Sequence, residues 1–237
     1  MKTLKKLLHT IFSISGFVPE NMTFLRAFFM IGSLAISMFI LPNHSELDTA
    51  ILYFTGSTIV YVGFIFTVLP ERGLRLVMIE KFGEEKAYLY YEGFLAFAFF
   101  HNGVGLTFIS QSSVDSGFFE ILPETAILFL AAFLFILGLV TKVWSAYVVG
   151  IPVYYWKDMF LRRSVSEFVV TGPYKYFSNP MYGIGQLQVY AMAIYYNSSY
   201  GLIFGALNQG LIFLFYFLVE KPFIYKTYIQ QSEPSGS

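Results

Sequence analysis

The 237-residue chain contains no cysteine. Disulfide bonds and cysteine-ligated metal sites are therefore excluded, while the redox compartment stays undetermined. Charged residues are also scarce, at 13% of the chain against about 25% in a typical soluble domain. The formal net charge is zero, so the sequence gives no electrostatic basis for binding nucleic acid. We expect neither nucleic acid nor a metal ion as a partner.

Hydrophobic residues dominate instead, at 56% of the chain, with a mean hydropathy of +0.61. The excess extends along most of the chain, which favours one integral membrane domain over residues 1–229. The 18 tyrosines suit such a protein, because Tyr favours the level of the lipid headgroups. Residues 230–237 form a polar tail, which we exclude from the fold.

Six apolar runs approach the roughly 20 residues that a helix needs to cross the hydrocarbon core. The sequence therefore predicts an all-α polytopic membrane protein with six transmembrane helices. The last two are joined by a short polar turn and form a C-terminal helical hairpin. The predicted spans are residues 24–41, 49–69, 87–109, 125–149, 182–196 and 201–219.

The basic residues predict the orientation of these spans. If the N-terminus is cytoplasmic, all 15 Lys and Arg fall in cytoplasmic segments or in the cytoplasmic half of a span, and the three outer turns contain none. Short loops rich in Lys and Arg stay in the cytoplasm. We therefore expect both termini on the cytoplasmic face, either of a bacterial inner membrane or of the endoplasmic reticulum.

The N-terminal segment, residues 1–12, has two interpretations. Its basic start is similar to that of a signal peptide, but no small-residue cleavage site follows. Its apolar residues also fall at helical spacing beside lysines, which favours a basic amphipathic helix on the membrane surface. Those residues are Leu4, Leu7, Leu8, Ile11 and Phe12.

Polar residues in the third predicted span need a partner or a cavity, because ionisable groups are costly inside a membrane. His101 and Asn102 fall near its middle, and Glu92 lies closer to the inner surface. They either line a cavity for a lipid substrate or form hydrogen bonds between helices, such as one from His101 to a neighbouring Ser or Thr.

Two polar motifs flank the last two spans. The first is GPYKYFSNPMYGIGQ at residues 172–186, and the second is LVEKPFIYKTY at residues 218–228. Glycines allow a ligand to approach the main chain, and a helix N-terminus offers N–H groups to a carboxylate. Glu220 falls beside that N-terminus in the predicted hairpin. Together they can hold the two charged ends of an amino-acid-like ligand.

The segments GPYKY and NPMYGIG resemble the signature of integral membrane methyltransferases. That group includes isoprenylcysteine carboxyl methyltransferases and phospholipid methyltransferases. The second motif, and YWKDMF at residues 155–160, are similar to the phosphatidylethanolamine N-methyltransferase branch. The resemblance covers about residues 141–229. It implies that residues 24–109 are scaffold helices and that residues 125–229 form the catalytic part.

The resemblance implies that S-adenosylmethionine binds on the cytoplasmic face. Gly183 and Gly185 would approach this cofactor through the main chain, and Glu220 would bind its polar groups. Asn179, Pro180 and Tyr182 would shape the pocket, to which we also assign Tyr174 and Gln186. Ser178 stands where the family usually has Arg, Asn179 where many members have His, and Lys221 replaces the second acid of a Glu-Glu pair.

The acceptor is expected to be a membrane lipid, first of all the amine of phosphatidylethanolamine or of its methylated derivatives. Such an amine must lose a proton, and Glu220 or Asp158 can orient it and relay the proton. Asp158 is equally interpreted as a surface charge at a helix end.

The alternatives are methyl transfer to a prenylcysteine carboxylate or another isoprenoid, and an NADPH-dependent sterol-type reductase. A membrane protein without enzymatic activity is the last alternative.

Overall fold

The structure is a computed structural model and describes residues 2–17, 21–40, 46–114, 122–165 and 169–230. Within these ranges the chain forms helices and loops, with no β-strand, which confirms the all-α class. Two 3₁₀ turns, Gly172–Lys175 and Ile184–Gln186, lie between α8 and α9. The helices are α1 (Lys2–Ile14), α2 (Phe24–Ile40), α3 (Leu47–Val68), α4 (Arg75–Phe82), α5 (Glu84–Ser112), α6 (Glu124–Val149), α7 (Ile151–Tyr154), α8 (Lys157–Leu161), α9 (Leu187–Tyr195) and α10 (Ser199–Ile229).

Four of these helices, α3, α5, α6 and α10, are long and apolar enough to cross a membrane. The shorter apolar helix α2 has 17 residues, or about 26 Å at 1.5 Å per residue. Large apolar side chains cover the outer faces, as with Phe129 and Phe133 on α6, which are 76% and 61% exposed. Lipid is the natural solvent for such a surface. The chain is therefore an integral membrane protein with four to five helices of membrane length, and its orientation stays a prediction.

The fifth predicted span differs from the structure. Only Leu187–Tyr195 is α-helical there, and its nine residues extend about 14 Å. Before it, the chain turns at Met181–Gly183 and then enters a 3₁₀ turn. Gly183 has φ −84° and ψ −99°, outside the helical region. The apolar run predicted a long helix, but Pro180 and the two glycines that follow favour a turn over its first part.

The last helix extends further than the sequence predicts. The predicted sixth span ends at residue 219, yet α10 continues to Ile229 and contains the whole second motif. Pro222 lies inside it, where it donates no N–H to the preceding turn. Two π-helical segments, Tyr216–Glu220 and Tyr225–Ile229, flank the proline. Wider turns of this kind accommodate a disrupted hydrogen-bond ladder.

Helix α5 forms the centre of the bundle. It packs against α2, α3, α4 and α10, and most of its length is buried. Helix α9 packs closely against α6 and also reaches α5, whereas α5 and α6 scarcely contact each other. A gap therefore separates α5 from α6, with α9 behind it.

Gly138 on α6 makes the close contact with α9 possible. A Cβ atom at this position would lie 2.6 Å from the main-chain nitrogen of Gln188. Small residues allow membrane helices to approach in this way. The contact fixes the position of the first motif along α6, since Gln188 lies two residues after the end of that motif.

Buried polar residues hold the scaffold helices together. The Arg26 guanidinium on α2 donates to the Glu92 carboxylate on α5, and both side chains are almost fully buried. Arg26 Nε also donates to the Gly16 carbonyl oxygen at 2.9 Å. The sequence did not predict this pair. Together with the bond to Gly16, it connects the chain just after α1 to α5 at the centre of the bundle.

His101 and Asn102 bond to α3. Asn102 Nδ2 donates to Thr58 Oγ1 at 2.9 Å, and His101 Nδ1 is hydrogen-bonded to the Tyr53 hydroxyl. The interpretation as interhelical hydrogen bonds is confirmed, with Tyr as the partner of His101 in place of Ser or Thr. Asn102 also lines a large cavity described below.

The N-terminal segment is helical, as the amphipathic interpretation predicts. Its apolar residues Leu4, Leu8 and Phe12 are exposed, which suits a helix lying on a membrane. Its end is attached to the bundle, because the Tyr155 hydroxyl donates to the Ser13 carbonyl oxygen at 2.8 Å. Residues 231–237 of the predicted polar tail lie outside the described residues.

Candidate functional site

The two motifs meet at one hydrogen bond. The Tyr182 hydroxyl donates to Glu220 Oε2 at 2.8 Å. Burial, together with the nearby Glu220 carboxylate, raises the pKa of Tyr182 well above its usual value. The phenol therefore stays protonated and acts as a donor. The contact predicted between these parts of the chain is present.

Gln209 holds the turn of the first motif against α10. Its Nε2 donates to the Tyr182 carbonyl oxygen at 2.8 Å and to that of Gly183 at 3.3 Å. Its Oε1 accepts from the Tyr190 hydroxyl at 2.7 Å. Sequence reasoning missed this residue. The available signal was a glutamine inside an apolar span, where polar groups form interhelical hydrogen bonds.

Trp156 is a further partner of Glu220 that the sequence did not single out. Its side chain hydrogen-bonds to the Glu220 carboxylate, and its ring packs edge-on against Phe215. The backbone of Trp156 is left-handed, with φ 52° and ψ 37°. For a residue with a side chain this conformation costs about 1–3 kcal/mol, and such strain clusters at functional sites.

Asp158 has a different partner from Glu220. The Tyr228 hydroxyl donates to Asp158 Oδ2. Tyr228 lies two helical turns beyond Glu220 on α10, or about 12 Å along the axis. Asp158 is only 4% exposed, so the alternative of a surface charge is wrong. Its predicted role in catalysis is not tested by this geometry and stays a prediction.

The main-chain N–H groups of the two glycines are already used within the turn. Gly183 donates to the Asn179 carbonyl oxygen at 3.0 Å, and Gly185 donates to that of Pro180 at 2.8 Å. A Cβ atom on Gly185 would lie 3.5 Å from Lys142 Cβ on α6. Any ligand contact at these glycines would therefore involve Cα or the carbonyl oxygen rather than the amide hydrogen.

Tyr174 adds a polar group with no protein partner. Its hydroxyl oxygen is buried and forms no hydrogen bond within the described part of the chain. Burial and the charge of Glu220 raise the pKa of this phenol, which places it near that carboxylate. The side-chain nitrogen of Asn179 is also buried and forms no hydrogen bond within the described residues. A carboxylate beside an unpartnered hydroxyl fits a ligand with a charged, polar end.

Two cavities lie next to Glu220 and its partners Tyr182 and Trp156. The smaller one is lined by Trp156, Tyr182 and Gln186. The larger one has a volume of about 420 Å³ and extends between α5, α6, α9 and α10, which is within the usual size of ligand pockets. Six residues line both cavities, so the two adjoin. They are Tyr61, Phe99, Lys142, Tyr154, Gln186 and Ile212.

The structure thus brings together most of the predicted cofactor residues. Glu220 and Tyr182 are in direct contact, Gln186 lines the adjoining cavities, and Tyr174 lies near the carboxylate. Asn179, Pro180, Gly183 and Gly185 shape the turn that carries Tyr182. Their role in binding a cofactor stays a prediction, since the described contacts are all within the protein.

Comparison with known proteins identifies this region. Residues 126–231 match the phospholipid methyltransferase family, so the C-terminal part of the chain, from α6 to the end of α10, is similar to that family. The resemblance found in the motifs is thereby confirmed. The match includes Asp158 and both motifs, whereas α1 to α5 lie outside it. Neither the curated proteins nor the solved structures that were searched gave a match.

The match supports methyl transfer to a phospholipid. It does not specify which phospholipid is methylated.

Proposed function

We propose that the protein transfers a methyl group from S-adenosylmethionine to the amine of phosphatidylethanolamine, or of its methylated derivatives, at the cytoplasmic face of its membrane. The hydrogen bond between Tyr182 and Glu220 carries the proposal. It brings the two motifs of the family region to one polar site, beside cavities that reach into the bundle.

The residues present suit the amino-acid end of the cofactor. Glu220 would bind its ammonium group, because a carboxylate in this position makes charge-assisted hydrogen bonds. The unpartnered Tyr174 hydroxyl would donate to its carboxylate. Tyr182 and Trp156 hold the Glu220 side chain in place. When bound, the cofactor supplies an electrophilic methyl group on a positively charged sulfur.

The protein would contribute mainly by positioning the acceptor. In the reaction the nitrogen lone pair forms the new C–N bond as the C–S bond breaks, which requires an in-line approach. Aligned reactants gain up to about 7–11 kcal/mol over reactants that meet in solution. The walls of the smaller cavity, including Trp156 and Tyr182, would exclude water and hold the amine in this line.

The acceptor must also lose a proton, because an ammonium has no free lone pair. A carboxylate at hydrogen-bonding distance can accept it. Glu220 contacts Tyr182 and Trp156, which line the smaller cavity, although it does not line that cavity itself. Asp158 lies on the neighbouring helix α8. Of the two, Glu220 is the better candidate, since the residues that contact it line the cavity.

Ligand-dependent thermal stability of the purified protein tests the cofactor. We expect S-adenosylhomocysteine to raise the unfolding temperature and NADPH to leave it unchanged. Stabilisation by NADPH alone would support the reductase alternative and reject the proposal. Glu220→Gln should weaken S-adenosylhomocysteine binding, while Glu85→Gln, at an exposed position of α5, serves as the matched control. Unchanged affinity in Glu220→Gln would exclude Glu220 from the site.

Lipid analysis tests the acceptor. Cells that express the protein should accumulate mono-, di- or trimethylated ethanolamine lipids, and cells that express Glu220→Gln should not. If methylated prenylcysteine or another isoprenoid accumulates instead, the acceptor has been assigned incorrectly although methyl transfer stands.

A further inference from the structure

Lys142 is a buried cation for which the mechanism above has no use. It lies on α6 within the predicted fourth span and is only 7% exposed. No described Asp or Glu side chain forms an ion pair with it. Its ammonium lies over the ring of Phe99 on α5, 4.5 Å from the ring centroid. A cation–π contact compensates only part of the cost of removing an ammonium from water.

We propose that Lys142 binds the phosphate of the acceptor phospholipid, at the junction of the two cavities. This inference rests on the proposed function and adds the residue that recognises the lipid headgroup. An ionisable residue inside a membrane protein is a candidate functional group by default, because its burial is costly without a partner. A phosphate supplies the missing negative charge.

The position of Lys142 favours this ligand. It lines the larger and the smaller cavity at once, together with Tyr61, Tyr154 and Gln186. Two phenols and an amide can donate further hydrogen bonds to phosphate oxygens. An anion held at this junction would therefore face several donors in addition to the ammonium.

The larger cavity suits the acyl part of the lipid. Its walls are largely apolar, and it lies in the gap between α5 and α6. Gly103 of α5, with Phe135 and Leu139 of α6, lines it and is also exposed at the outer surface of the bundle. A lipid would thus enter sideways from the bilayer, with its chain between the two helices.

The smaller cavity then accommodates the headgroup amine. Trp156 and Tyr182 form part of its wall, and both contact Glu220. An ethanolamine is joined to its phosphate by two carbons. With the phosphate at Lys142, the amine would extend into the smaller cavity towards the carboxylate and the proposed methyl donor.

The carboxylate of the methyl donor is the other anion that Lys142 could bind. The lining of the cavities favours the lipid, because Lys142 faces the large apolar cavity, whereas the unpartnered Tyr174 hydroxyl lies near Glu220 and lines neither cavity. The two sources predict different losses when the ammonium is removed, so one set of binding measurements separates them.

The experiment measures binding to the full-length protein in detergent and does not require methyl transfer. Dihexanoyl phosphatidylethanolamine and dihexanoylglycerol serve as probes with the same chains, with and without the phosphate. S-adenosylhomocysteine is the third ligand. The proteins are the unmodified chain, Lys142→Gln, Lys142→Arg, and Lys86→Gln as a control at an exposed lysine.

We expect Lys142→Gln to lower affinity for the phospholipid at least about tenfold, the usual scale for a lost hydrogen bond to a charged group. Its affinity for dihexanoylglycerol and for S-adenosylhomocysteine should stay within about twofold of the unmodified protein, since neither would use the ammonium in this arrangement. Lys142→Arg should restore phospholipid binding at least in part, and Lys86→Gln should resemble the unmodified protein.

Equal phospholipid affinity in Lys142→Gln and the unmodified protein would overturn the inference. So would a loss confined to S-adenosylhomocysteine, which would assign Lys142 to the methyl donor. A failure of the proposed function is recognised separately, because it would appear as absent S-adenosylhomocysteine binding in the unmodified protein.

Discussion

The Tyr182 hydroxyl and the Glu220 carboxylate are 2.8 Å apart although 38 residues separate them in the chain. The contact joins a turn before α9 to the middle of the continuous helix α10. The two motifs are therefore close together, as predicted. This holds although α9 is shorter and α10 is longer than the sequence-based prediction.

Tyr182→Phe tests the importance of this bond. Removing one hydrogen bond to a charged group costs about 1.5–3 kcal/mol, so we expect the affinity for S-adenosylhomocysteine to fall about tenfold or more. Isothermal titration of the detergent-purified protein measures it. Tyr176→Phe is the matched control, since Tyr176 is 72% exposed. Equal affinities in the two variants would show that the Tyr182 hydroxyl does not position Glu220.

Trp156→Phe tests the other partner of Glu220. Phe keeps a ring that can pack against Phe215 but has no N–H to bond the carboxylate. We expect weaker S-adenosylhomocysteine binding with little change in unfolding temperature, because the strained backbone is the same in both proteins. A large loss of stability with unchanged affinity would indicate that Trp156 serves only packing.

Arg26→Met tests the buried pair with Glu92. The single change leaves a buried carboxylate without its partner, which typically costs about 3–5 kcal/mol. The double variant Arg26→Met with Glu92→Leu removes both charges and should recover much of that stability. Thermal unfolding in detergent compares the three proteins. If the double variant is as unstable as the single one, the pair contributes through more than its charges.

Gly138→Ala tests the close contact of α6 and α9. The added methyl group would lie 2.6 Å from the main-chain nitrogen of Gln188, so the helices must separate. Overpacking of this kind costs about 1–3 kcal/mol. Gly56→Ala is the control, because a Cβ atom there meets nothing within 4 Å. It should leave the unfolding temperature unchanged or raise it, as Ala favours helix more than Gly does.

Much of the fold followed from length and polarity alone. The long apolar runs predicted α3, α5, α6 and α10, because a helix must satisfy its own backbone inside a membrane. The same reasoning failed at α9, where hydropathy counts apolar residues and does not register the turn that begins at Pro180. It also ended α10 too early, because it treated Glu220 and Pro222 as the end of a span.

The site residues that belong to a recognisable sequence motif could be predicted. Those that join the site only through the tertiary structure could not. Glu220 and Tyr182 were identified through the resemblance. Trp156, which contacts Glu220, has a left-handed backbone, and no local pattern indicates that conformation for a tryptophan. Lys142 entered the topology as one basic residue among 15, and its position deep in an apolar run was the signal for a further role.

The gap between α5 and α6 affects how readily each of the two proposed substrates fills its own site. A lipid that enters through it is drawn from the surrounding leaflet, where its abundance is set by mole fraction rather than by dilution in water. The Lys142 ammonium and the few neighbouring hydrogen-bond donors would then suffice to keep the acceptor site filled. The proposed water-soluble methyl donor has no such reservoir, so its occupancy would depend on tight binding at the Glu220 end.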